Sequence, residues 1–186
     1  SLSLSYRLVA FVRSIKFVNC INNVLEKIEQ ISGVKMKIKI QEAELSDAQE
    51  ILELQKIAYQ SEAELYQDWN IPPLLQTLQQ LQLEFENHKI IVATFNDEII
   101  GSVRGYVDQD TLHIGRLIVH PDFQKQGIGS QLLLKIEQDS ECQRYELFTG
   151  HKSIENIRLY EKLGYQQFRT EKIHDELDFI YLHKQV

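Results

Sequence analysis

The sequence predicts an α/β domain built on a mixed sheet, with a strand, a glycine-bearing turn and a helix at its centre. Three observations predict it. Runs rich in β-forming residues follow closely at 90–95, 99–107 and 111–119, and segments with helical apolar spacing flank them on both sides. The last of these runs passes through a turn holding Gly127 and Gly129 into another helical pattern.

The first 35 residues form an N-terminal extension, predicted to be helical, ahead of a domain over 36–186. Phe11, Ile15, Val18, Ile21, Leu25 and Ile28 recur at helical spacing, and Arg7, Arg13 and Lys16 precede the first acid, Glu26. Such a basic, acid-poor start also fits an organellar transit peptide or a helix lying on a membrane. With Met36 as the natural start, it is an extra packed helix.

The domain opens with a short strand over 37–41, where Ile38 and Ile40 alternate with polar residues. Ser46-Asp47 is placed to cap a helix carrying Ile51, Leu54 and Ala58 on one face, and Pro72-Pro73 to open another carrying Leu75, Leu78 and Leu81. The connection between them holds Glu62, Glu64, Tyr66, Asp68 and Trp69.

Asn96-Asp97-Glu98 has the composition of a tight hairpin turn between the strands at 90–95 and 99–107. A third strand at 111–119 is stopped by Pro121. Ile128, Leu132, Leu133 and Ile136 mark a helix, a strand follows at 145–149, and a helix over 153–163 ends at Gly164. Strands at 165–168 and 177–182 surround a polar turn at 173–176.

Composition bounds the function without naming it. A chain of 186 residues can bury one sizeable core, and 43% hydrophobic with 25% charged residues is an ordinary globular balance. A net charge of -7 argues against a nucleic-acid surface and leaves room for a cationic substrate such as an amine. Two cysteines, Cys20 and Cys142, make no disulfide framework or metal motif, which points to a reducing, cytoplasmic setting and no metal. No apolar run reaches 18 residues, so no membrane span is predicted.

The chemistry lies in the central turn. A helix N-terminus offers unpaired N–H groups and a positive dipole end, so Gln124-Lys125-Gln126-Gly127-Ile128-Gly129-Ser130 can cradle a pyrophosphate through its backbone. The P-loop and dinucleotide patterns both fail here, the latter because position 132 is Leu.

Leu117-Ile118-Val119-His120-Pro121 followed by Gln124-x-x-Gly127-x-Gly129 resembles motif A of the GNAT acetyltransferase superfamily, and 159–165, Leu-Tyr-Glu-Lys-Leu-Gly-Tyr, is similar to its motif B. The resemblance covers roughly 37–183 and implies a mixed, mostly antiparallel sheet of six to seven strands whose fourth and fifth splay apart around acetyl-CoA. The pantetheine arm would pair with backbone at Leu117, Ile118 and Val119, and the pyrophosphate would meet the N–H groups of 125–130. Gly115 would mark a bulge that parts the strands, or simply answer a packing need.

The resemblance also implies a general acid at Tyr160, on one helical stripe with Ser153 and Asn156, where a phenol would protonate the departing thiolate. The family's commonest pattern has Asn and Ala where this chain has Ser153 and Asn156, so Asn156 would reach the cofactor from one turn away. An attacking amine must lose a proton, and Glu62, Glu64, Asp68, His113 and His151 are all candidates for its base. The 62–69 segment, where the acids Glu62, Glu64 and Asp68 alternate with Tyr66 and Trp69, best fits an amine pocket. The expected activity is direct acetyl transfer to a small-molecule or peptide amine in a ternary complex, in a possible homodimer. The alternative is a non-catalytic acyl-CoA sensor on the same fold.

Overall fold

A computed structural model describes residues 38–186; the helix predicted over 1–35 lies outside them. Seven strands form one sheet in the order β1-β2-β3-β4-β5-β7-β6. They are β1 (Lys39–Glu42), β2 (Lys89–Phe95), β3 (Glu98–Asp108), β4 (Thr111–Val119), β5 (Arg144–Gly150), β6 (Gln166–His174) and β7 (Leu177–Gln185). All neighbours run antiparallel except β4 and β5. The predicted hairpin turn is present: Asn96 and Asp97 have φ of 53° and 64°, the left-handed pair that a two-residue type I′ loop requires.

The helices before β2 differ from expectation at three points. The first, α1 (Ala48–Ala58), is preceded by a 3-10 turn over Leu45–Asp47. The cap therefore moves one turn earlier, to Glu44, whose N–H donates to the Asp47 carboxylate at 2.8 Å. The 62–69 connection is largely helical, as α2 (Gln60–Tyr66), and stops where Gln67 turns left-handed at φ 54°.

Third, the helix expected from Pro72 is two helices, α3 (Pro72–Leu75) and α4 (Leu78–Glu84). Gln76 breaks it because its side chain is drawn into a buried polar network, accepting from Gln55 Nε2 and Arg104 at 2.9 Å each. Thr77 then caps α4 through a reciprocal pair with Gln80. Leu75 is consequently exposed, while Leu81 is fully buried.

Two apolar cores sandwich the sheet. One packs α5 (Ile128–Gln138) and α6 (Ile154–Lys162) over Ile91, Ile100, Leu112, Ile114, Leu147 and Leu182. The other packs α1 and α4 over Ile90, Val92, Ile99 and Ile118. Each fully buried side chain of this size contributes roughly 1.5–3 kcal/mol.

A buried carboxylate ties α5 to the end of α6. Glu137 accepts from Tyr165 Oη at 2.8 Å and pairs with Lys184 Nζ at 2.6 Å. Tyr165 directly follows the left-handed Gly164, at φ 93°, which ends α6. This clamp sets the position of the helix that carries Tyr160.

Candidate active site

The parallel β4–β5 ladder has three rungs only, Thr111↔Arg144, Leu112↔Tyr145 and His113↔Glu146. Beyond His113 the strands part. The β5-side edge of β4 over 114–119 is left without a strand partner, so its backbone groups are free to pair with something else. This is the predicted splay, with a bulge beside it.

Strand alternation locates that bulge. Ile114 belongs to the α5 core and Ile118 to the α1 core, although four residues apart they would share a face in an unbroken strand. The β3–β4 register slips between the pairs Ser102↔Ile118 and Arg104↔Gly115, which inserts one residue into β4. The left-handed residue there is Arg116, at φ 50°, rather than Gly115. A side chain at Gly115 would meet nothing within 4 Å, so packing does not require a glycine.

After β4, a 3-10 turn at Pro121–Phe123 leads into the glycine loop. Lys125 and Gly127 are both left-handed, at φ 62° and 82°. Among the described residues, nothing accepts from the N–H groups of 125–130, and the first bond of α5 runs from Gln131 N–H to the Gly127 carbonyl at 3.1 Å. Successive free N–H groups in such a turn, at a helix start, form an anion-binding concavity.

The side chains of this loop serve other ends. Gln124 Nε2 donates to the Val119 carbonyl at 3.2 Å and so fixes the loop to the strand end. Lys125 and Gln126 are exposed, Ser130 is half-buried, and Ile128 is buried in the core. A Cβ on Gly129 would lie 3.5 Å from Leu159 Cδ2 and 3.8 Å from Val119 Cγ2, so α6 approaches the loop across the gap.

On the other side of the gap the polar residues converge on Glu62. Ser153 Oγ donates to Glu62 Oε2 at 2.7 Å, and Asn156 Nδ2 donates to Glu62 Oε1 at 3.3 Å. Asn156 also reaches Thr149 Oγ1 at 3.4 Å, so its amide is engaged by protein partners. Tyr66 Oη accepts from the Lys152 N–H at 2.7 Å and lies 3.5 Å from Ser153 Oγ, pinning α2 against the start of α6. Tyr160 is 7% exposed. Burial, with Tyr59 and Glu62 nearby, pushes its phenol above the ordinary tyrosine value, which keeps the proton on it.

Of the remaining base candidates only His151 touches this group, its ring edge-on to Tyr66 at 5.9 Å. His113 is in the closed part of the ladder, stacked on Tyr106 with Nδ1 3.9 Å from Glu146. The Nδ1 of His151 accepts from the Asp178 N–H at 3.0 Å, which ties it to β7. Glu64 is exposed, and the Asp68 carboxylate closes a local turn by accepting from Asn70 N–H at 2.8 Å. Of the acids in the 62–69 segment, Glu62 is the one bonded to Ser153 and Asn156.

Positive charge instead enters from the sheet. The Arg116 guanidinium lies 5.8 Å from the Tyr59 ring centre, and its Nε is buried without a partner. Arg104, 5% exposed, pairs with Glu84 at 2.8 Å; burial and the neighbouring Arg116 lower its guanidinium to about 10. Tyr59 and Arg116 escaped the sequence reading. The signal for Arg116 was there: apolar positions 112 and 114 give way to 117 and 119, and the change of phase falls on it.

A sheet parted at this strand pair, above a loop of free N–H groups, is the framework of an acyl-CoA-type transferase. The model of the Acetyltransferase (GNAT) family matches residues 49–165, and the chain belongs to that family. Protein YqkA of Bacillus subtilis is 31% identical over 134 residues, 72% of this chain, and the chain spans 38% of that protein's length. An acetyltransferase of Pectobacterium atrosepticum is 31% identical over 106 residues, which are 55% of this chain and 73% of that protein. Among solved structures, the PaiA N-acetyltransferase from Thermoplasma acidophilum in complex with coenzyme A superposes with a TM-score of 0.68 at 18% identity. The match covers 81% of this chain and 100% of that one.

Proposed function

We propose that residues 36–186 form a domain that transfers acetyl from acetyl-CoA to a primary amine, by direct attack within a ternary complex in the cytoplasm. The observation that carries this reading is a protonated, buried phenol, Tyr160, beside an anchored carboxylate, Glu62, at a strand gap ending in free N–H groups. The coenzyme A bound by the structurally similar PaiA N-acetyltransferase supports a coenzyme A thioester as the donor.

In this reading the N–H groups of 125–130 hold the pyrophosphate, and the free edge of β4 at 117–119 pairs with the pantetheine arm. Glu62 takes the proton of the attacking amine, directly or through water, and Tyr160 gives its own to the departing thiolate. Ser153 and Asn156 orient the Glu62 carboxylate rather than touch the cofactor. His113, Glu64, Asp68 and His151 take no part.

The test is free-thiol release from acetyl-CoA with a panel of amines, alongside calorimetric binding of acetyl-CoA. Amine-dependent thiol release is the expected result. Binding without release would leave the non-catalytic sensor as the function of this domain.

A further inference from the structure

Tyr59 ends α1 and begins α2, three residues before Glu62 on the same helical turn. Arg116 lies over the Tyr59 ring at 5.8 Å, while Tyr59 and Glu62 both act electrostatically on Tyr160. Arg116 and Glu62 are therefore both neighbours of Tyr59. The neighbouring cation, Arg104, has its charge answered by Glu84, and its Nη2 donates to Gln76 at 2.9 Å.

Arg116 has no such answer. Among the described residues no carboxylate lies within ion-pair distance of it, and its Nε is buried with no acceptor. An unpaired buried donor on a cation is costly, and here it is held by a left-handed residue in a bulge, at φ 50°, that aims it to the α1 side of the sheet. Glu62, one helical turn after Tyr59, receives only neutral donors, Ser153 and Asn156, so its charge is unbalanced too. One free cation and one free anion on the acceptor side complement a ligand that carries both signs.

We infer that the acceptor is a small amine that also bears a carboxylate, with its amino group directed to Glu62 and its carboxylate held by Arg116. This rests on the acetyl-transfer reading above and narrows it. A polyamine or a simple alkylamine would leave Arg116 unpaired, and would add a like charge beside it.

The experiment compares free amino acids with their carboxamides as acceptors, which keeps shape and removes the negative charge; rates are expressed per unprotonated amine, because the amide also lowers the amine's pKa. Thiol release is followed for the wild type, Arg116→Gln and Arg116→Lys, with acetyl-CoA binding by calorimetry as the check on folding. The wild type is expected to favour the acid over the amide in kcat/KM by ~10- to 100-fold, the scale of one charged hydrogen-bonded pair, mainly through KM. Arg116→Gln should bring the ratio close to one, and Arg116→Lys should keep part of it. A wild-type ratio near one, or a ratio that survives Arg116→Gln, would overturn the inference while leaving acetyl transfer standing. The wild-type ratio decides the matter even if the variants fail to fold. No thiol release with any amine would overturn both.

Discussion

The two banks of the β4–β5 gap are built differently. The loop bank works through backbone: six consecutive residues, 125–130, present N–H groups, while the loop's side chains are buried, exposed or turned back on the strand. The acceptor bank works through side chains gathered from α1, α2, β4 and α6, namely Tyr59, Glu62, Arg116 and Tyr160. A contiguous backbone device tolerates almost any side chain except where φ is positive, whereas an assembled one depends on every member. Substitutions on the two banks should therefore fail in different ways.

The largest effect is expected at Tyr160. Tyr160→Phe removes the proposed acid and should lower turnover by roughly 10²–10⁴-fold, with acetyl-CoA affinity unchanged by calorimetry. The pH profile sharpens this. Burial raises the Tyr160 phenol above its ordinary value of about 10, so deprotonation of this group should cost no rate below about pH 10. A fall in kcat that disappears in Tyr160→Phe but sets in near pH 8 would contradict the raised phenol.

Next in size is the polar network beneath the acceptor bank. Glu84→Ala leaves the buried Arg104 without its carboxylate, and should cost about 3–5 kcal/mol in urea unfolding. Gly150→Ala is smaller. Its new Cβ would land on the Tyr66 hydroxyl and ring, forcing Tyr66 off the Lys152 N–H. A loss of roughly 1–3 kcal/mol is expected, with slower turnover as Ser153 and Glu62 lose register. On the loop bank, Gly127→Ala meets nothing within 4 Å, so only its left-handed φ of 82° is at stake. That should cost roughly 1–2 kcal/mol and weaken acetyl-CoA binding without changing acceptor KM.

The same division explains what could be read from sequence. The loop was legible because its signal is local: glycines at fixed spacing between a β-rich run and an apolar helix stripe. Most strands were legible because alternation and turn residues are local too, but β6 was read only over 165–168, with a turn at 173–176, and it runs on to His174. The break between α3 and α4 was hidden, because Gln76 is pulled inward by Arg104 and Gln55, 28 and 21 residues away in sequence. Glu62 stood in the sequence as one of five equal candidates. It is singled out by donors 91 and 94 residues further on, Ser153 and Asn156. Arg116 needed the bulge, which shows only when the faces on either side are known.

Glu62→Gln tests the division most directly, read by calorimetric acetyl-CoA affinity and by amine-dependent thiol release on the same sample. The account predicts affinity equal to the wild type and kcat/KM for the amine lowered by roughly 10²-fold or more. Retained turnover, or a loss of acetyl-CoA binding equal to the loss of rate, would contradict it.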